Sequence, residues 1–153
     1  MRDFLAEMFL NPVFVSALAA WYIAQFSKAI IYAIITKKFA FERMFGSGGM
    51  PSSHSATVCA LATATGFYYG AGGFEFALAF VLATIVMHDA MGVRREAGNQ
   101  ARIINEMIEL LDIFGDKSPI SEKLKEFVGH TPLQVLVGAL SGIATAVIVC
   151  NLM

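Results

Sequence analysis

Residues 47–58 read SGGMPSSHSATV. Gly48, Gly49, Pro51 and two serines break regular structure, and small apolar residues then follow without interruption. The reading is a loop that turns into a helix, with Ser52 or Ser53 as the cap and His54 in or near the first turn. The start of a helix carries free backbone N–H groups and the positive end of a dipole, which together attract anions such as phosphate. A histidine beside such a start exchanges a proton near neutral pH.

Outward from this junction the chain is apolar. Of its 153 residues 57% are hydrophobic and 15% charged, with mean hydropathy +0.64. Soluble globular chains are typically about 45–50% apolar and about 25% charged, so the composition points to a membrane protein of a single domain spanning residues 1–153. The two cysteines, Cys59 and Cys150, lie in apolar stretches, which argues against a disulfide framework. Three histidines without HExxH or HxH spacing give no zinc signature, and no metal or other cofactor is expected. Asp3 and Glu7 in a weakly basic start argue against a cleaved leader.

Four apolar helices are expected, since about 20 helical residues cross a bilayer. The first opens at Pro12 and runs to about Thr36. The second runs from His54 to about Gly73, and the third from Glu75 to His88–Asp89. The fourth is headed by Thr131 as cap and Pro132 as first helical residue, and ends near Leu152. Small residues at Ala56, Ala60 and Ala64, and again at Gly138, Gly142 and Ala146, suit close helix packing in lipid. Lys28 interrupts the first helix. It lies some two turns below the loop, so an interior hydrogen bond is the preferred reading over a role in a site. Between the third and fourth helices, Ile103, Ile104, Met107, Ile108 and Leu111 recur at helical spacing opposite polar residues. This predicts an amphipathic helix outside the membrane or on its surface, its apolar stripe packed into a core. A short helix over SEKLKEF, capped by Ser121 and closed by Gly129, should follow it.

Four crossings would bring His54, Asp89 and His130 to one side of the membrane. Nine of the eleven lysines and arginines fall on that side, Lys37, Lys38, Arg43, Arg94 and Arg95 among them. By the positive-inside rule it is the cytoplasmic side of a cell or organellar membrane. Two histidines, His54 and His130, thus each stand at the N-terminal end of an apolar helix.

These residues resemble a family. PSSHSA is similar to the P-S-G-H-S motif of the PAP2 superfamily of lipid phosphatases, which is related to vanadium haloperoxidases. GHTPLQVLVGALSGIATA resembles that superfamily's last motif, and HDAMGVRREAGNQA with KKFAFER resembles its divergent branch. The resemblance covers most of the chain from Lys37 onward. It implies an all-α, PAP2-like integral membrane bundle. It also implies that His130 attacks phosphorus and carries a phosphohistidine, and that His54 protonates the leaving oxygen. Gln134 stands where the family has an orienting aspartate, and Asp89 is the acid that could replace it in space. Lys37, Lys38, Arg43, Ser52, Ser53, Arg94 and Arg95 are the implied phosphate-binding residues.

A phosphoester needs cations and N–H donors on its nonbridging oxygens, an in-line nucleophile and an acid for the leaving alkoxide. The resulting expectation is a lipid phosphate phosphatase that acts without metal on a phosphomonoester or pyrophosphate of a phospholipid or polyprenyl lipid. The alternative is a noncatalytic membrane protein that binds or translocates lipid phosphates. A bundle whose histidines merely satisfy helix ends is a third reading, disfavoured by their pairing. The expected partners are a lipid phosphate and membrane lipids, with no nucleic acid; homo-oligomerisation stays open.

Overall fold

The computed structural model describes residues 2–37, 49–113, 123, 124, 126 and 128–153. These form six helices: α1 (Arg2–Leu10), α2 (Pro12–Thr36), α3 (Ser53–Tyr69), α4 (Phe74–Met91), α5 (Val93–Ile113) and α6 (Pro132–Leu152). The fold is all-α. The starts of the helices follow from local chemistry. Asn11 accepts the N–H groups of Val13 and Phe14 and Pro12 takes the first turn of α2. Ser52 caps α3, and Thr131 caps α6 with Pro132 behind it. The short α1 is not announced by the mixed charge of its residues.

Burial is inverted relative to a soluble protein. The core is made of small side chains, with Ala20, Ala24, Ala56, Ala60, Ala64 and Ala146 packed together. The largest fully buried side chains are serines: Ser16, Ser52 and Ser55. Large apolar residues such as Ile35, Phe74, Ile85, Leu136 and Ile148 point outward. A surface of this kind is stable against hydrocarbon, where helices associate by close packing of small residues. Among the described residues, three helical runs are long and apolar enough to cross a membrane: Pro12–Thr36, Phe74–Leu110 and Pro132–Leu152. The second of these is broken at Gly92, between α4 and α5. The fourth expected crossing, α3, has 17 residues and falls short of that length. It ends at Tyr69, because Gly70 takes a positive φ of 78° and leaves the helical path. This shorter helix packs against α2, α4 and α6.

The packing of α3 on α6 depends on two glycines. A methyl at Gly138 would overlap the backbone of Ser52, and one at Gly142 the carbonyl of Ala56. The two backbones therefore touch where the small-residue face of α6 meets the start of α3. The N–H of Ser52 seals this contact by donating to the carbonyl of Gln134 at 3.1 Å.

Two expectations about the polar segment are corrected. The described residues of SEKLKEF, namely Lys123, Leu124 and Glu126, are not helical. Asn105 on α5 explains this, since its amide donates to the Leu124 carbonyl and accepts from the Leu124 N–H, both at 2.9 Å. Those are the groups a helix would need for its own ladder. The start of that expected helix, at Ser121, lies outside the described residues. The apolar stripe of α5 is not core either. Ile103, Ile104 and Met107 are exposed, whereas Ala101 and Asn105 are buried, the latter against the segment after Lys123.

Candidate functional site

The start of α3 is recessed in the bundle. Pro51, Ser52, Ser53 and Ser55 are all buried. Ser52 is occupied as the cap, for its hydroxyl oxygen accepts from the Ser55 N–H at 3.3 Å and from the Ser55 hydroxyl at 3.0 Å. Among the described residues, no acceptor takes the N–H of Ser53 or His54. His54 therefore sits in the first turn of a helix with its dipole exposed to whatever lies beside it.

His130 arrives beside His54 from the other end of the chain. Gly129, at φ +90°, packs flat on the backbone of Arg94 and Arg95, leaving no room for a side chain. The next N–H, that of His130, donates to the Ala90 carbonyl at 2.9 Å. This ties the segment before α6 to the end of α4. The two imidazole rings stand edge to face, their centroids 6.3 Å apart. His130 is 4% exposed.

Gln134 decides which nitrogen of His130 carries the proton. Its Oε1 accepts the Thr131 N–H at 3.1 Å, which completes a capping box at the head of α6. A backbone N–H only donates, so the amide oxygen, not the NH2, must face it. The same oxygen lies 3.2 Å from His130 Nδ1. Nδ1 therefore carries the hydrogen and Nε2 keeps its lone pair. Burial holds His130 below its ordinary imidazole value. The Gln134 bond and the Gly49 carbonyl pull the other way, and the charges of Lys28 and His54 push it further down. A neutral ring with an unprotonated Nε2 is the form in which histidine acts as a nucleophile.

Other residues are placed with different clarity. Asp89 does not bond to His130; its carboxylate is held by Arg94 at 2.6 Å, both side chains being partly exposed. Arg95, with Asn99 and Glu126, lines a cavity of about 200 Å³ that reaches His130, Thr131 and Gln134. Lys37 closes α2 in a left-handed conformation and is exposed. Lys38 and Arg43 lie outside the described residues. Ser53 is at the site, bonded to a residue whose weight the sequence underrates. Lys28 Nζ donates to Gln25 Oε1 at 3.0 Å and to Ser53 Oγ at 3.1 Å. The interior hydrogen bond expected of Lys28 exists, and it also brings the ammonium to the residue preceding His54. The signal was available: Gln25 and Lys28, three apart on an apolar helix, share a face. Further along α3, where it meets α4 and α6, a second cavity of about 250 Å³ is lined by Cys59, Phe80, Ala83, Met87 and Ile143. Its walls are almost wholly apolar, and it lies some one to two turns along α3 from His54.

Two comparisons bear on this arrangement. The model of the divergent PAP2 family matches residues 9–145. The chain is 38% identical over 146 residues to the uncharacterized membrane protein YuiD of Bacillus subtilis (strain 168), a match covering 90% of this chain and 92% of that one. No solved structure matches.

Proposed function

The chain belongs to the divergent PAP2 family, and from that premise we propose that it is a lipid phosphate phosphatase working through a phosphohistidine. The observation that carries the reading is the facing pair His54 and His130, with Gln134 setting the tautomer of His130. His130 Nε2 attacks phosphorus in line, and a P–N bond forms as the bond to the ester oxygen breaks. Protonated His54 gives its proton to the departing alkoxide. Water, deprotonated by His54, then attacks the phosphohistidine; inorganic phosphate leaves and His130 is restored. The start of α3 supports the developing charge with its unused N–H groups.

The substrate class follows from where the site lies. Large apolar side chains face outward along α2, α4 and α6, and the apolar cavity beside Met87 offers room for part of a hydrocarbon chain. The substrate is an amphiphile with its phosphate at the histidines and its tail in lipid, of the diacylglycerol or polyprenyl type. The site opens to the cytoplasmic side, where most lysines and arginines of the sequence lie. A second reading has one observation in its favour. Gln134 is neutral, and a neutral amide stabilises imidazolium less than a carboxylate does. A protein that binds or translocates lipid phosphates without cleaving them would tolerate that.

The deciding experiment measures phosphate release in detergent from a panel of lipid phosphates, with chelator present. The intact protein should release phosphate, and His130→Ala and His54→Ala should each reduce release by at least about 100-fold. No release from folded protein would favour binding or transport. Release that survives His130→Ala would remove the nucleophile assigned here.

A further inference from the structure

Lys28 is a buried cation among neutral groups. Its side chain is 6% exposed. It donates to an amide oxygen and a hydroxyl oxygen, and among the described residues no carboxylate forms an ion pair with it. Asp89, the acid whose charge reaches the His54 ring, is paired with Arg94. An ammonium in such a place is costly unless a charge of opposite sign accompanies it. Its neighbours raise the cost. Lys28 is near enough to both His54 and His130 for its charge to act on their rings. The N–H groups of Ser53 and His54, which no acceptor among the described residues takes, add the positive end of a helix dipole at the same spot. An ammonium, two imidazoles and a helix start thus converge, and among the described residues no carboxylate pairs with the ammonium.

We propose that Lys28 is the cation that holds the nonbridging oxygens of a phosphoryl group, bound at the recessed start of α3 between Ser53 and the histidine pair. The ammonium has three hydrogens and two protein acceptors, which leaves one for the ligand. Gln25 and Ser53 hold the long side chain in one geometry, so little rotamer freedom remains to be lost on binding. Lys28 approaches from α2, some two turns inside the end of that helix. The phosphoryl group therefore sits on the bilayer side of the histidines, and its ester oxygen and tail are presented from lipid. Arg95 and the wetter cavity beside His130 lie toward α5 and Glu126.

This assignment rests on reading the histidine pair as a phosphate site, and binding tests it apart from turnover. The probes are inorganic phosphate and orthovanadate, titrated into the full-length protein in detergent and followed by calorimetry and by melting temperature. Lys28→Gln keeps a hydrogen-bonding group toward Gln25 and Ser53 and removes the charge; Lys28→Met removes both. Both should weaken phosphate binding at least tenfold and abolish the rise in melting temperature that phosphate gives the parent. Arg102→Gln, on an exposed side chain paired with Glu106, should bind as the parent does. Binding retained by Lys28→Gln would overturn the proposal, because charge would then be irrelevant. In the unaltered protein labelled with 15N-lysine, phosphate should shift the buried ammonium signal and leave the exposed ones in place. An unmoved buried signal would overturn the proposal whatever the variants do. A parent that binds phosphate through Lys28 but cleaves no lipid phosphate would leave Lys28 assigned and remove the phosphohistidine mechanism. Equal cleavage by the parent and Lys28→Gln would do the reverse.

Discussion

Gln134 carries three tasks on one residue. Its side-chain oxygen closes the capping box of α6 and receives His130 Nδ1, and its backbone carbonyl receives the N–H of Ser52. A change here therefore separates charge from geometry only if the shape is kept. Gln134→Glu keeps both side-chain contacts and adds a negative charge beside the imidazole. The imidazolium and the phosphohistidine should both be stabilised, and phosphate release on the alkaline side of the acidic limb should rise. The pH profile gives the sign. In the parent, His130 is held below its ordinary value by burial. It therefore stays neutral and nucleophilic on acidification to below pH ~6.5, the unperturbed histidine value. An adjacent carboxylate favours the charged form and raises the pKa by roughly one to three units. The acidic limb of the rate profile should move to higher pH by that amount in Gln134→Glu. An unchanged limb would mean that His130 is not the titrating group. The same depression makes the folded state bind a proton at His130 more weakly than the unfolded chain does. Its contribution to stability is thus present at neutral pH and lost as pH falls below the ordinary histidine value.

At the scale of elements, the contact between α3 and α6 sets the distance between the histidines. His54 is in the first turn of α3 and His130 immediately precedes the cap of α6, so any change in the approach of these helices moves one ring against the other. Gly142 is where that approach is closest, its missing side chain replaced by the backbone of Ala56. Gly142→Leu should force the helices apart and cost about 1–3 kcal/mol or more, the usual range for overpacking. It should lower the melting temperature in detergent and abolish phosphate binding together with stability. Ile148→Ala, on the outward face of the same helix, exchanges one lipid contact for another and should change neither. Equal melting temperatures for the parent and Gly142→Leu would show that α3 and α6 do not touch in this register.

For the whole molecule, burial points to a membrane, and the cytoplasmic orientation proposed from the charge pattern can be tested. The outward apolar surface makes this an integral membrane protein, and of the described basic residues Arg94 and Arg95 lie at the end where the histidines meet. Cys59 and Cys150 are free and buried, which leaves a low background for labelling. A single cysteine introduced at the exposed position Lys123 should resist a membrane-impermeant maleimide in intact cells and react once the membrane is opened. Labelling of intact cells would place the site on the outer face. The fate of the released phosphate would change with it, while the chemistry at His54 and His130 would not.

The sequence by itself determined where α2, α3 and α6 start. Proline and asparagine or threonine at the starts of α2 and α6, the loop before α3 and the small-residue faces are local signals, and local hydrogen bonding and packing obey them. It also determined the pairing of His54 with His130, because two histidines at helix starts on one side of a bundle have few places to go. The PSSHSA and GHTPLQ motifs placed the chain in its family for the same local reason. Only the tertiary structure decided what each charged group meets. Asp89 pairs with Arg94 rather than His130, Gln134 orients His130, Asn105 takes up the backbone of Leu124, and Lys28 reaches Ser53 across a helix interface. Those partners are 4–25 residues apart in sequence, from His130 and Gln134 at 4 to Lys28 and Ser53 at 25. Periodicity tells which face of a helix a side chain occupies; it does not tell which atom of a neighbouring helix that face will find. That is settled by how closely the backbones approach, and here the glycines of α6 settle it.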